Sequence, residues 1–131
     1  MADLLKASTA GVDSLGATHG VILSTLFAGE ALAKADACYI YSDGTVKKSV
    51  STVAVSGIAN FIGFTNKAYA AGQAVELFGA GSCLGYAVST VTPGAFYWVS
   101  TNAGLLATTQ QVTGDRPVAY GISTLDIVVI R

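Results

Sequence analysis

The chain reads as all-β, and three observations say so. A short phrase recurs in which Gly opens a small, apolar, strand-like run: Ala28-Gly29-Glu30-Ala31-Leu32, then Ala71-Gly72-Gln73-Ala74-Val75-Glu76-Leu77 and, more loosely, Pro93-Gly94-Ala95-Phe96-Tyr97-Trp98-Val99. Aromatic and β-branched residues fall in short runs bounded by Gly, Asp, Ser and Asn, the pattern of strands between tight turns. The phrase returns at unequal intervals, which excludes a solenoid of fixed period and leaves a small barrel or sandwich.

Taken in order, residues 7–20 are small, polar and punctuated by Gly without a sustained period, as in Ala17-Thr18-His19-Gly20. They read as an extended segment, so residues 1–27 are expected as an N-terminal arm and 28–131 as the β-domain. Within that domain, residues 36–41 suit a pleated strand, and Asp43-Gly44 is a strong hairpin signal. Residues 45–49 return, with Lys47 and Lys48 marking an exposed edge. Residues 51–55 alternate polar and apolar as a half-buried strand does, and 61–65 form a dense apolar strand. Residues 68–71 have some helical propensity, but Gly72 limits it, and an extended connection is expected.

Residues 74–78 read as a strand, 79–82 as a turn, and 83–88 as a strand in which Gly85 marks a bulge or a close backbone approach. The run at 95–100 holds the single Trp; alternation puts Phe96 and Trp98 on one face and Tyr97 on the other, so one face is available for contact. Asn102-Ala103-Gly104 turns into 105–108, and strands at 118–123 and 126–130 close the chain.

At 131 residues the chain is expected to form one domain with a real core. Hydrophobic residues make up 52% and charged residues 11%, against about a quarter charged in ordinary domains. A surface so poor in charge is a solubility liability for a free monomer and favours an oligomer or a larger assembly. Net charge is −1, and Lys47-Lys48 is the one adjacent cationic pair, which sets nucleic acid aside. No apolar run approaches the roughly 20 residues of a membrane span, and residues 1–6 lack the basic and apolar regions of a secretory signal. Synthesis in a reducing cytosol is expected. There Cys38 and Cys83 read as small buried hydrophobes, with a disulfide left open because sequence does not place their Cα atoms.

Reactive chemistry is sparse. His19 is the single histidine. The carboxylates Asp3, Asp13, Glu30, Asp36, Asp43, Glu76, Asp115 and Asp126 sit mostly beside Gly or at strand ends, and nothing in the text brings two together across a cleft as glycoside hydrolysis needs. Residues 79–85 lack the Lys and Ser/Thr of a phosphate-binding loop. No catalytic, cofactor-binding or metal-binding residue is assigned, and no enzyme is expected. The aromatics default to core packing, with carbohydrate stacking at the Trp98 face as the sharper alternative.

Residues 28–131 resemble the small head-decoration (cement) proteins of tailed bacteriophages. The resemblance is carried by Ala28-Gly29-Glu30-Ala31-Leu32, by Tyr41-Ser42-Asp43-Gly44-Thr45-Val46-Lys47-Lys48-Ser49, by Ile62-Gly63-Phe64-Thr65, by 71–77 with Cys83-Leu84-Gly85-Tyr86-Ala87, and by 93–106 followed by 118–123. The chain departs from the pattern at Gln73, where Glu would echo Glu30. The resemblance implies a barrel-like or tulip-like domain with a flexible N-terminal arm. It also implies a trimer at three-fold and quasi-three-fold positions on the outer capsid, bound to the major capsid protein. On this expectation the arm lies along the capsid or adds a strand to a capsid sheet, with Leu4, Leu5 and Val12 as capsid contacts, and the protein reaches the virion surface after synthesis in the bacterial cytoplasm. A head-fibre base, a tail-tube ornament or a receptor-binding module holding a host glycan at Trp98 is the alternative, and a small hydrolase comes third.

Overall fold

A computed structural model describes residues 3–8, 10–12, 22–51, 61–111 and 115–130, and among them the chain is all-β, without a helix. The strands are β1 (Gly11–Val12), β2 (Ile22–Phe27), β3 (Ala37–Ile40), β4 (Val46–Lys48), β5 (Phe61–Thr65), β6 (Ala74–Phe78), β7 (Cys83–Gly85), β8 (Phe96–Val99), β9 (Leu106–Ala107), β10 (Ala119–Gly121) and β11 (Asp126–Val129). They form two sheets, one six-stranded in the order β1-β7-β11-β10-β8-β9 and one five-stranded in the order β2-β6-β5-β3-β4. The strand pairs are antiparallel.

In the five-stranded sheet the Asp43-Gly44 hairpin forms as its chemistry dictates. The Asp43 carboxylate accepts from the Thr45 amide at 2.9 Å and the Thr45 hydroxyl at 2.6 Å, and these bonds hold it below its ordinary pKa. The lysine strand β4 is the edge, and Lys47 lays its ammonium 4.2 Å from the centre of the Tyr41 ring. That edge is met by the end of β2. Ala28 bridges Val46, and the Gly29 amide donates to the Val46 carbonyl at 2.9 Å. Gly29 suits the approach, because a Cβ there would collide with the Thr45 side chain. The sheet therefore curls until its two edges touch at one bridge, without a ladder closing it into a barrel among the described residues.

The first two copies of the repeated phrase lie side by side. Phe27 pairs with Ala74, the Ala28 amide donates to the Gln73 carbonyl at 2.8 Å, and Leu32 and Tyr69 exchange both backbone bonds at 2.9 Å. Gln73, the departure from the pattern, accepts the Ala70 amide on its side-chain oxygen at 2.7 Å, while Glu30 accepts the Lys48 amide at 2.9 Å. The side-chain oxygen serves each copy as a backbone acceptor, so amide and carboxylate both suffice.

Inside the curl, Leu32, Cys38, Val46, Tyr69, Val75 and Leu77 form one apolar cluster. The larger cluster lies between the sheets and joins Phe61 and Phe64 of β5 to Leu84, Tyr86, Tyr97, Val99, Leu106, Ile127 and Val129. Two residues three apart in a regular strand face opposite ways. Here the β3–β5 register shifts by one between Cys38 and Tyr39, leaving Ile62 as the extra residue. This bulge turns both Phe rings into the same core, 5.2 Å apart.

Of the expected arm, residues 3–8 and 10–12 pack on this body. Asp3 bridges Ala107 on β9, and its carboxylate accepts from the Ser100 hydroxyl and from the side-chain Nδ2 of Asn102 at 2.6 Å. The Leu4 amide donates to Leu106 at 2.9 Å and the Ala7 amide to Tyr86 at 2.7 Å. Gly11 and Val12 then pair with Gly85 and Leu84 of β7. The segment thus runs from one edge of the six-stranded sheet to the other and occupies both. Lys6 pins it to the turn before β3, donating to the Asp36 carboxylate at 2.8 Å and to the Lys34 and Ala35 carbonyls at 2.7 and 3.2 Å. Residues 22–27, also assigned to the arm, are strand β2 of the other sheet. The expected boundary at 27/28 coincides with the end of β2, whose ladder with β6 closes at the Phe27–Ala74 pair. The expected strand at 51–55 lies, beyond Ser51, outside the described residues.

Candidate interaction surface

Strands β8, β10 and β11 carry apolar residues on both faces, with Asp126 at the start of β11 as the charged exception, a pattern usual for strands covered on both sides. Their inner residues Tyr97, Val99, Ala119, Ile127 and Val129 are buried between the sheets. Their outer residues line up by register: Phe96 opposes Tyr120, Tyr120 opposes Val128, and Val128 opposes Cys83 of β7. This cross-strand row is apolar for its full width. Phe96 is 46% exposed, and Tyr120, Val128 and Cys83 are half-buried. The Phe96 and Tyr120 rings are 5.0 Å apart and tilted by 60°. Trp98 shares the outer side with Phe96, as alternation predicts, while Tyr97 points inward and its hydroxyl accepts the Thr92 amide at 2.8 Å.

The row runs on to the β10–β11 turn. The Ser123 hydroxyl organises that turn, accepting the Leu125 and Asp126 amides at 3.1 and 2.9 Å and donating to Asp126 Oδ2 at 3.1 Å. The Leu125 carbonyl accepts from Tyr86 at 2.8 Å and Ala87 at 3.1 Å, which bends the chain away after β7. Between these segments lies a groove of about 310 Å³ lined by Ala7, Gly85, Ala87, Val88, Leu125 and Asp126. Val88 is 72% and Leu125 45% exposed. Gly85, expected to mark a bulge or a tight approach, instead sits in regular register; a Cβ there would make an ordinary 3.5 Å contact with Asp126 Oδ1.

Of the three expected contact residues, Leu4 is in the core at 3% exposure and Leu5 is outside at 71%. Val12 takes its ladder position opposite Leu84, and its side chain lies outside the described residues. Withdrawing Leu4 to the surface would forfeit about 1.5–3 kcal/mol of burial, so Leu5 is the one of the first two available for contact. Val88, Leu125 and Ile122 were missed by the sequence reading. Their signal is apolar side chains in segments whose turn chemistry calls for polar ones, the kind of exposed apolar residue that marks an interaction site when clustered.

A second, smaller groove of about 250 Å³ lies on the other sheet between Ser24, Thr25, Lys67, Tyr69, Val75 and Glu76. Thr25 has φ 62° within a bulge of β2. Tyr69 is buried there, and its hydroxyl accepts the Glu76 amide at 3.3 Å. Cys38 is fully buried, and burial together with the nearby Asp36 charge pushes its thiol well above the ordinary value. Cys38 and Cys83 are both free thiols, on different sheets. His19 and Asp13 lie outside the described residues. Among those described, no group of three or more His, Cys, Asp or Glu is placed to hold a metal ion, and no helix is long and apolar enough to cross a membrane.

Compared with known proteins, the chain matches no family and no curated protein.

Proposed function

We propose that the protein is a non-enzymatic decoration module of a tailed-phage virion. On this reading it binds the outer surface of the major capsid protein, assembles as a trimer at three-fold and quasi-three-fold positions, and stabilises the shell. The observation that carries the reading is the outward-facing apolar row of Phe96, Tyr120, Val128 and Cys83, together with a sequence so poor in charge. Adhesion of this kind needs area rather than reactive groups, at roughly 25 cal/mol per Å² of apolar surface covered. Linked contacts to several capsid subunits multiply weak binding into avidity. A protein that binds the assembled shell but not its dissociated parts stabilises the shell by mass action.

The contact element moves with the structure. Strand addition by residues 3–12 would require them to leave both edges of the six-stranded sheet, so the proposed contact is the sheet face with Leu5 at its margin. The alternative of a glycan platform is less well supported. A sugar ring stacks on an open aromatic face with polar partners around it, and Trp98 is half-buried with its Nε1 covered. The test is co-sedimentation of the purified chain with expanded capsids of its phage. Wild type is expected to pellet at hundreds of copies per particle, and Phe96→Asp to remain in the supernatant while keeping its β-sheet circular dichroism. Absence of wild-type binding, or equal pelleting by Phe96→Asp, would overturn the proposal.

A further inference from the structure

The groove beside the β10–β11 turn joins two chemistries. Its walls are apolar, formed by the exposed Val88 and Leu125 with Ala7 and Ala87. At its end stands a carboxylate with one oxygen to spare. Asp126 Oδ2 is taken by the Ser123 hydroxyl, whereas Oδ1 has no partner among the described residues. Oδ1 lies on the side of Gly85, 3.5 Å from where a Cβ would stand, and both residues line the groove. The one ion pair among the described residues is that of Lys6 with Asp36, so no described cation of the chain is paired with Asp126. A carboxylate set against apolar walls gains most from a cationic donor that neutralises it as the walls are covered.

The shape narrows the choice further. A volume of about 310 Å³ is at the low end for sites that enclose a small molecule, usually ~300–1,000 Å³, and suits one or two side chains. Recognition through the main chain is closed off here, because β1 already pairs with the β7 edge and the Tyr86 and Ala87 amides are spent on Leu125. We infer that the groove receives a partner-protein segment carrying an aliphatic side chain next to a Lys or Arg. The aliphatic group sits between Val88 and Leu125, and the cation sits on Asp126 Oδ1. The inference deepens the reading that the partner is a capsid protein, and rests on it only for the partner's identity.

The test titrates the ¹⁵N-labelled full chain with the peptide acetyl-Gly-Ser-Ile-Arg-Ser-Gly-amide, with its Ile→Ala and Arg→Glu counterparts as controls. Saturable shifts are expected at the amides of residues 85–88 and 124–126, with a dissociation constant on the order of millimolar. Each control peptide, and each of the variants Asp126→Asn and Val88→Ser, should weaken binding about tenfold, and only the Asp126 and Arg changes should remove its salt dependence. Shifts that are absent up to ~10 mM, scattered elsewhere, or equal for all three peptides would overturn the inference, as would an unchanged affinity in Asp126→Asn. A free chain that self-associates and becomes monomeric on Val88→Ser would overturn it too, by showing a second copy in the groove. Peptide binding by a chain that does not pellet with capsids would refute the capsid partner while leaving the groove's chemistry standing.

Discussion

Replacing Lys6 by Ala tests whether the first dozen residues belong to the domain. The Lys6 ammonium meets Asp36 at 2.8 Å and two backbone carbonyls, and both ionic side chains are largely buried, at 15% and 4% exposure. Asp36 is also fixed from the other side. It accepts the Ala33 amide at 2.7 Å, its own amide donates to the Thr65 hydroxyl at 3.0 Å, and Gly104 packs against its carboxylate. The carboxylate therefore cannot swing out to water when its partner is removed. Stripping one member from a buried pair costs about 3–5 kcal/mol, and the retained Ala33 bond places this case at the lower end, near 3 kcal/mol. With about 2.1 cal/mol/K of unfolding entropy per residue, a chain of 131 residues should lose roughly 11 °C in melting temperature. The assay is thermal unfolding by far-UV circular dichroism, checked by urea unfolding. The double variant Lys6→Met with Asp36→Asn should recover part of the loss, since it removes both charges together. A drop of less than ~2 °C in Lys6→Ala would refute the reasoning and return residues 3–12 to the status of an independent arm.

Two further outcomes follow from side-chain placement. Leu4→Ala should cost about 2–5 kcal/mol in urea unfolding because it empties a core position, whereas Leu5→Ala should stay within ~0.5 kcal/mol; equal effects would contradict the inward and outward placement of the pair. Stability should also fall as the solution becomes alkaline. Cys38 has an ordinary pKa of 9.0 and Tyr86 of 10.0, and burial raises both in the folded chain. Above pH 9 the unfolded state sheds these protons first, so the unfolding free energy declines with pH. Cys38→Ala should move the start of that decline toward pH 10, and a pH-independent unfolding free energy between 8 and 10.5 would oppose the assignment.

Where local chemistry decides local structure, the text was legible. Asp43-Gly44 made its hairpin, the lysine pair fell on the edge strand β4, and alternation sorted Phe96 and Trp98 from Tyr97 as found. The docking of residues 3–8 and 10–12 is not legible in the sequence, because their order comes from single anchors rather than from a period. Asp3, Leu4 and Lys6 each find a partner far along the chain, and a two-residue strand has no alternation to detect. The bulge at Ile62 was equally hidden, since an extra residue in a strand leaves no mark in composition. The repeated phrase was visible, but not that its copies pair with each other. The candidate surface was half legible: the aromatic side of β8 followed from alternation, whereas the groove needed the turn at Ser123 and the bend at Tyr86 to be brought together.

The seam made by residues 3–12 has a consequence for biosynthesis. Asp3 waits for Asn102, a separation of 99 positions, and at ~5–20 residues per second of translation the wait is about 5–20 seconds. Lys6 finds Asp36 only 30 positions on, and β1 finds β7 before Asn102 is made, so the segment docks in stages and its Asp3 end closes last. Closure of the molecule is thus a late, post-translational event, and a bulky fusion placed ahead of Asp3 would hinder maturation more than one placed after the last strand.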